Sequence, residues 1–232
     1  MAVVAVSLAV VGLLMVLRQT AASPPPADET AVTVASGRSL PVRQPAPGIE
    51  NLVVYGHSMP NGGGASEPSQ GYATLAAEAL GLTLINRAEG GSGAANATLT
   101  MEGERPAGSE DAVVLHTGMN DIFRRGAAAV GRGRQAVNNF LEGTSDAGRR
   151  VVVLECQPGS WADTPPGRDL QAAYEAWNAM LREEVATVPD AEVMDICEIW
   201  NPRRFTDVER YHPNDEGHAR MAVELTALLT RT

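Results

Sequence analysis

Four short stretches of this chain carry residue types that together can move an acyl group. Ser58 stands in Gly56-His57-Ser58, directly after the apolar run Leu52-Val53-Val54-Tyr55. Gly91 ends Asn86-Arg87-Ala88-Glu89-Gly90-Gly91, which follows Leu82-Thr83-Leu84-Ile85. Asn120 lies in Gly118-Met119-Asn120-Asp121, after Ala112-Val113-Val114-Leu115, and His212 in Glu209-Arg210-Tyr211-His212-Pro213-Asn214. A serine hydroxyl is a weak nucleophile until a base takes its proton. Imidazole titrates near neutrality, so it can take that proton and return it to a leaving alcohol. A glycine N–H and an asparagine amide can hold the oxyanion formed when the serine attacks an ester. Each stretch alone is a weak signal, and Gly-x-Ser here is not an α/β-hydrolase elbow, which needs Gly where Pro60 stands. Order and placement carry the reading.

The elements that must position these residues alternate along the chain. Apolar runs of strand length recur at 51–55, 82–86, 111–116, 151–155 and 192–196. Between them, spacings of three and four mark helices: Tyr72, Leu75, Ala76, Ala79 and Leu80, then Val137, Phe140 and Leu141. Leu170, Ala173, Tyr174, Trp177 and Leu181 form a third such stripe, and Met221, Leu225 and Leu228 a fourth. Strands alternating with helices predict an α/β domain, a three-layer flavodoxin-like sandwich around a five-stranded parallel sheet. Sites in such sheets lie outside the carboxyl ends of the strands. Ser58, Gly91 and Asn120 each come just after their strand, as that rule requires.

In this order the four blocks resemble the SGNH (GDSL-type) hydrolase family, over roughly residues 50–230. The resemblance implies a metal-independent serine esterase with no cofactor, hydrolysing or transferring an acyl ester of a small molecule, lipid or glycan. It implies Ser58 as nucleophile, His212 as general base, and an oxyanion hole built from Ser58 N–H, Gly91 N–H and the Asn120 amide. Gly90 and Gly93 leave the register of the glycine open by a residue or two. The family's Asp-x-x-His pattern places Glu209 as the residue that orients His212, with Asp207 as the alternative acid. Two departures stand out. His57 replaces the Asp of Gly-Asp-Ser, and Glu209 replaces the Asp of the last block. They motivate a second reading, an exported non-catalytic binding or cell-surface module on the same scaffold. Pro213 suits the first position of the last helix, where no N–H is needed.

A net charge of −10 argues against nucleic acid or an anionic membrane surface as partner, since both select a basic face. The 18 cationic residues are all Arg, and we attach no function to that bias. Residues 1–22 read as a signal peptide or membrane anchor. The apolar run Ala2 to Leu17 would reach about 24 Å as a helix, short of a bilayer core of about 30 Å. Arg18 follows that run instead of preceding it, the reverse of the usual bias. The expectation is export, either secreted or tethered to the outer face of the cytoplasmic membrane through residues 2–17. Residues 23–48 are Pro-rich without apolar periodicity and predict a disordered linker, leaving 49–232 as the globular domain.

The remaining reactive types give weaker signals. His57, His116, His212 and His218 show no i,i+4 pairing and the cysteines no Cys-x-x-Cys spacing, so no metal site is expected. Cys156 and Cys197 close the fourth and fifth strands, as a disulfide or as two buried thiols. Arg124, Arg125, Arg132 and Arg134 read as a solvated helical face, with an anionic-substrate site as the lesser reading. Trp177 falls on a helical stripe, whereas Trp161 could line a pocket.

Overall fold

The computed structural model describes residues 31–33, 39–103, 111–145, 149–156, 165–196 and 211–231. After a short antiparallel pair, β1 (Ala31–Thr33) and β2 (Ser39–Pro41), come the five strands of the main sheet. These are β3 (Asn51–Gly56), β4 (Thr83–Asn86), β5 (Asp111–His116), β6 (Arg150–Leu154) and β7 (Ala191–Met194). All neighbours run parallel, in the order β4-β3-β5-β6-β7. This is the flavodoxin-like order, and the expected sheet is observed. The strands read as continuous Val/Leu runs because helices cover both faces. Leu52, Val54, Val114 and Val151 to Leu154 are all fully buried.

The helices are α1 (Tyr72–Leu80), α2 (Ala94–Gly103), α3 (Met119–Arg125), α4 (Ala129–Ser145), α5 (Pro165–Val185) and α6 (Asp215–Leu229). The chain steps from β3 outward to β4, then back across β3 to β5. With right-handed crossovers that reversal sends α1 and α2 to opposite faces. Accordingly α1 packs on α6, while α4 packs on both α2 and α5. The reversal leaves a crevice at the carboxyl ends of β3 and β5, the topological switch point. Gly56 closes β3 there with φ of +146°, and a Cβ at that position would overlap the His116 carbonyl of β5. Only glycine lets the two strand ends run side by side into the site.

Two departures from the sequence reading have clear physical causes. The first concerns the segment expected to be a disordered linker, whose last residues lie along the domain. Leu40 is buried, Arg43 N–H donates to the Ala79 carbonyl at 2.8 Å, and Ala46 N–H donates to the Leu229 carbonyl at 2.9 Å. Ala79 and Leu229 end α1 and α6, where helix carbonyls have no partner within the helix. An extended strap satisfies them without any periodic pattern, so nothing in the spacing of residues announces it. The second concerns Pro213, which precedes the cap of α6 instead of opening the helix. Asn214 is the cap, its Oδ1 accepting from Gly217 N–H at 3.0 Å.

The amino edge of the sheet holds a buried charge pair. Asp111 opens β5 opposite Asn51 of β3, and Asn51 Nδ2 donates to Asp111 Oδ1 at 2.9 Å. Arg149 Nε lies 3.6 Å from Asp111 Oδ2, with both side chains almost wholly buried. Residues 1–22, Trp161 and Cys197 lie outside the described residues; Cys156 is buried, and Trp177 is a core residue with no exposed surface. Among the described residues no helix is long and apolar enough to cross a membrane.

Candidate active site

Ser58 follows β3 in a tight turn and His212 precedes α6, yet Ser58 Oγ and His212 Nε2 lie 2.8 Å apart across 154 positions of sequence. Both residues are only partly buried, so a substrate can reach them. A hydroxyl at this distance from an imidazole nitrogen is within reach of direct proton transfer. Glu209 and Asp207, the two candidate acids, lie outside the described residues.

A glycine run that the sequence reading passed over holds this pair together. Gly62-Gly63-Gly64 folds over Ser58, and Gly63 N–H donates to the Ser58 carbonyl at 2.8 Å. A Cβ on Gly63 would lie 2.9 Å from Ser58 O and 3.0 Å from His212 Cδ2. On Gly64, at φ +88°, it would overlap His212 Cβ and the Pro213 carbonyl. Three adjacent glycines in a loop were the available signal, and their reason is close packing on the serine and the histidine. Beyond the run, Ser66 N–H and Oγ donate to the two oxygens of Asp215 at 2.8 and 2.7 Å, tying this loop to the first turn of α6.

Two further buried histidines, both uncharged, brace the surroundings of Ser58, His218 against the glycine loop and His57 within the turn of the serine itself. His218 Nδ1 accepts from Tyr72 N–H at 3.2 Å, so its proton sits on Nε2, 3.0 Å from the Gly63 carbonyl. Burial lowers its pKa to about 4, against the opposing pull of the Gly63 carbonyl and Asp215. His57 Nδ1 accepts from Met59 N–H at 3.3 Å, across the nucleophile's own turn. Burial, and then the nearby His212, lowers the His57 pKa to about 3. His57 therefore stands in the family's Asp position as a neutral acceptor turned inward, away from Ser58. His116, at the end of β5, lies against it with ring centroids 4.6 Å apart and is 3.2 Å from Tyr72 Oη.

The opposite wall is the loop after β4, and α3 grips it. Asn120 Nδ2 donates to the Ser92 carbonyl at 2.9 Å, using one of the two hydrogens of its amide. Ser92 Oγ in turn donates to the Gly56 carbonyl at 2.6 Å, so Asn120, Ser92 and the end of β3 form one connected unit. Gly91 is exposed with φ of +80°, and its N–H makes no hydrogen bond among the described residues. Asp121 Oδ2 accepts from Ala94 N–H at 3.0 Å and so caps α2.

The arginine cluster resolves into separate contacts. Arg124 Nη2 donates to the Gly91 carbonyl at 2.7 Å, and Arg125 lies 3.5 Å from Asp121. Arg134 pairs with Glu183 and Glu184 of α5. Sequence reasoning gave Ser92 and Asp121 no role and read Arg124 only as part of a solvated helical face or, as the lesser reading, an anionic-substrate site, because their contacts join loops that no spacing connects. Among the described residues no three His, Cys, Asp or Glu side chains gather as metal ligands.

Known proteins share both the sequence pattern and this architecture. A family model for the GDSL-like lipase/acylhydrolase family matches residues 54–220, from β3 into α6. A member of the lipolytic G-D-S-L family from Veillonella parvula superposes with a TM-score of 0.65 at 18% identity. That match covers 79% of this chain and all of the other. A lipase from a goat rumen metagenome gives 0.64 at 18% identity, covering 78% of this chain and 98% of its own. A psychrotrophic esterase from Pseudoalteromonas sp. gives 0.59 at 16%, covering 77% and 95%. No curated protein sequence matches the chain. At such identities the superpositions establish the fold, and the match over residues 54–220 establishes the family. The chain belongs to the GDSL-like lipase/acylhydrolase family.

Proposed function

We propose that the protein is a serine esterase in which Ser58 attacks an acyl ester and His212 carries the proton. The observation that carries this reading is the 2.8 Å approach of Ser58 Oγ to His212 Nε2 at the carboxyl edge of the sheet. As the Ser58 oxygen bonds to the carbonyl carbon, its proton passes to His212 Nε2. The carbonyl oxygen becomes an oxyanion held by Ser58 N–H, Gly91 N–H and the second Asn120 amide hydrogen. Collapse expels the alcohol, which leaves with the proton from His212. Water then repeats the sequence on the acyl-serine and frees the acid; a second alcohol in place of water gives acyl transfer. Glu209, with Asp207 as the alternative, orients the imidazole and balances its transient charge.

Family membership supports ester hydrolysis as the reaction class. The acyl acceptor and the natural ester are small-molecule, lipid or glycan in class. We further propose that the domain works outside the cytoplasm, either released after cleavage near Thr20-Ala21-Ala22 or tethered by residues 2–17. The apolar leader and the Pro-rich stretch after it support this placement.

The deciding experiment is labelling with a fluorophosphonate, which requires an activated serine. The Pseudoalteromonas esterase is itself inhibited by monoethylphosphonate. Labelling of the purified protein at Ser58, lost in His212→Ala, is the expected result. No labelling of a folded wild-type protein, with no turnover of acetate or butyrate esters, would leave the non-catalytic module as the reading.

A further inference from the structure

The chain is poor in aromatic side chains, with 3 Phe, 4 Tyr and 3 Trp among 232 residues. Among the described residues, the aromatic rings with substantial exposure are Phe123 at 44% and Tyr211 at 39%. Distant in sequence, they meet edge to face, with ring centroids 6.4 Å apart and an interplanar angle of 80°. The other exposed large apolar residues, Val42, Leu99 and Val223, are scattered over separate elements, an ordinary pattern that needs no explanation. Two solvated rings in mutual contact beside a reactive pair form a ready apolar binding face.

Their position shows what would cover them. Phe123 lies on α3 three residues after Asn120, and Arg124 lies four after it, so all three share one helix face. That face grips the Gly91–Ser92 loop through Asn120 and Arg124, and reaches the His212 side through Phe123. Tyr211 adjoins the base itself, its ring centroid 5.9 Å from that of His212. The leaving oxygen of an ester must come within hydrogen-bond reach of His212 Nε2 to receive its proton. The carbonyl oxygen points instead toward the Gly91 and Asn120 wall. Whatever is carried on the leaving oxygen therefore departs alongside His212 and meets Tyr211, then Phe123.

Resting on the esterase reading, we infer that Phe123 and Tyr211 form the subsite for the alcohol half of the ester, selecting alcohols with an aryl or extended alkyl group. An aryl group can pack edge to face against these rings, and an alkyl chain can cover their exposed faces.

The test compares kcat/KM of the wild type, Phe123→Ala, Tyr211→Ala and Tyr211→Phe on two ester series. One series keeps the acetyl group and changes the alcohol, benzyl acetate against methyl acetate. The other keeps methanol and changes the acid, methyl hexanoate against methyl acetate. The benzyl-to-methyl preference should fall about tenfold in each Ala variant and be largely kept in Tyr211→Phe. The hexanoate-to-acetate preference should move less than about twofold, well inside the range of a single methylene contact. An unchanged benzyl preference, or a loss confined to the acyl series, overturns the assignment. A binding arm separates this inference from the chemistry. Benzyl alcohol at millimolar concentration should show saturation-transfer contacts with the Ser58→Ala protein, weakened about tenfold in affinity by added Tyr211→Ala. Absence of benzyl alcohol binding sinks the subsite even if the esterase reading holds. Binding without any wild-type turnover sinks the esterase reading and leaves the aryl-binding face standing.

Discussion

The two edges of the same sheet are built on opposite principles. At the amino edge, the buried pair Asp111 and Arg149, joined by the partly buried Asn51, forms a polar cluster at the starts of β3, β5 and β6. At the carboxyl edge, glycines replace side chains, a serine and a histidine meet in a partly open crevice, and aromatic rings face water. On the amino side the charges of Asp111 and Arg149 face each other and are shut away from solvent. The carboxyl edge uses buried neutral histidines and backbone contacts to hold a reactive pair whose own polar atoms stay accessible. Polar residues therefore signal function here only where their surroundings leave them reachable.

The sharpest way to test the comparison is to separate activity from stability. Ser58→Ala should lower ester turnover by about a thousandfold or more while leaving the urea midpoint close to that of the wild type. A large loss of stability would show that the serine is part of the packing. Glu209→Gln should reduce kcat about a thousandfold or more by removing the counter-charge to the imidazolium, with Asp207→Asn nearly silent. The reverse ranking moves the acid to Asp207.

The opposite edge should give the mirror result. Asp111→Ala leaves the Arg149 charge buried beside an empty place and should cost about 3–5 kcal/mol in urea unfolding. Its kcat/KM per folded molecule should stay unchanged. A change in kcat/KM would break the division of labour between the two edges.

Acid should act first on the carboxyl edge. Below about pH 6.5 the unfolded chain's imidazoles bind protons, whereas folded His218 resists down to about 4 and folded His57 down to about 3. Stability is therefore complete above pH 6.5 and falls as pH decreases, by about 1.4 kcal/mol per pH unit for each histidine. Urea unfolding between pH 6.5 and 5, above the carboxylate range, should show this slope. His57→Asn, which keeps an acceptor for Met59 N–H, should roughly halve it. The smallest expected effect belongs to the α6 cap. Asn214→Ala should cost about 1 kcal/mol, and because that cap lies only two residues after His212, kcat should fall modestly with it. A stability loss without any change in kcat would mean that the cap does not position the base.

The sequence made legible what repeats locally. Strand runs such as 111–116 and helix stripes such as Tyr72 to Leu80 depend on periodicity within one element, and the structure places them within a residue or two. Ser58 and His212 were legible because each sits at a boundary between elements, in a motif of fixed order. Gly62 to Gly64, Ser92 and Arg124 were not, since their contacts join loops that only the folded sheet brings together. The strap at 39–48 escaped notice for another reason. Its partners are backbone carbonyls at helix ends, and almost any side chain can ride on an N–H that meets them.

That strap also sets which way the molecule faces. It enters along the last carbonyls of α1 and α6, which lie at the amino edge of the sheet, one strand length or roughly 20 Å from the crevice. Under the proposed tether, a domain held by its leading segment would present its crevice outward, like a lamp fixed at its base. Under that proposal, esters in the layer of attachment would sit behind the domain, and those arriving from the far side would meet the crevice directly. Immobilising the protein through its amino end should for the same reason leave substrate access unobstructed, whereas a fusion inserted next to α3 would shade it.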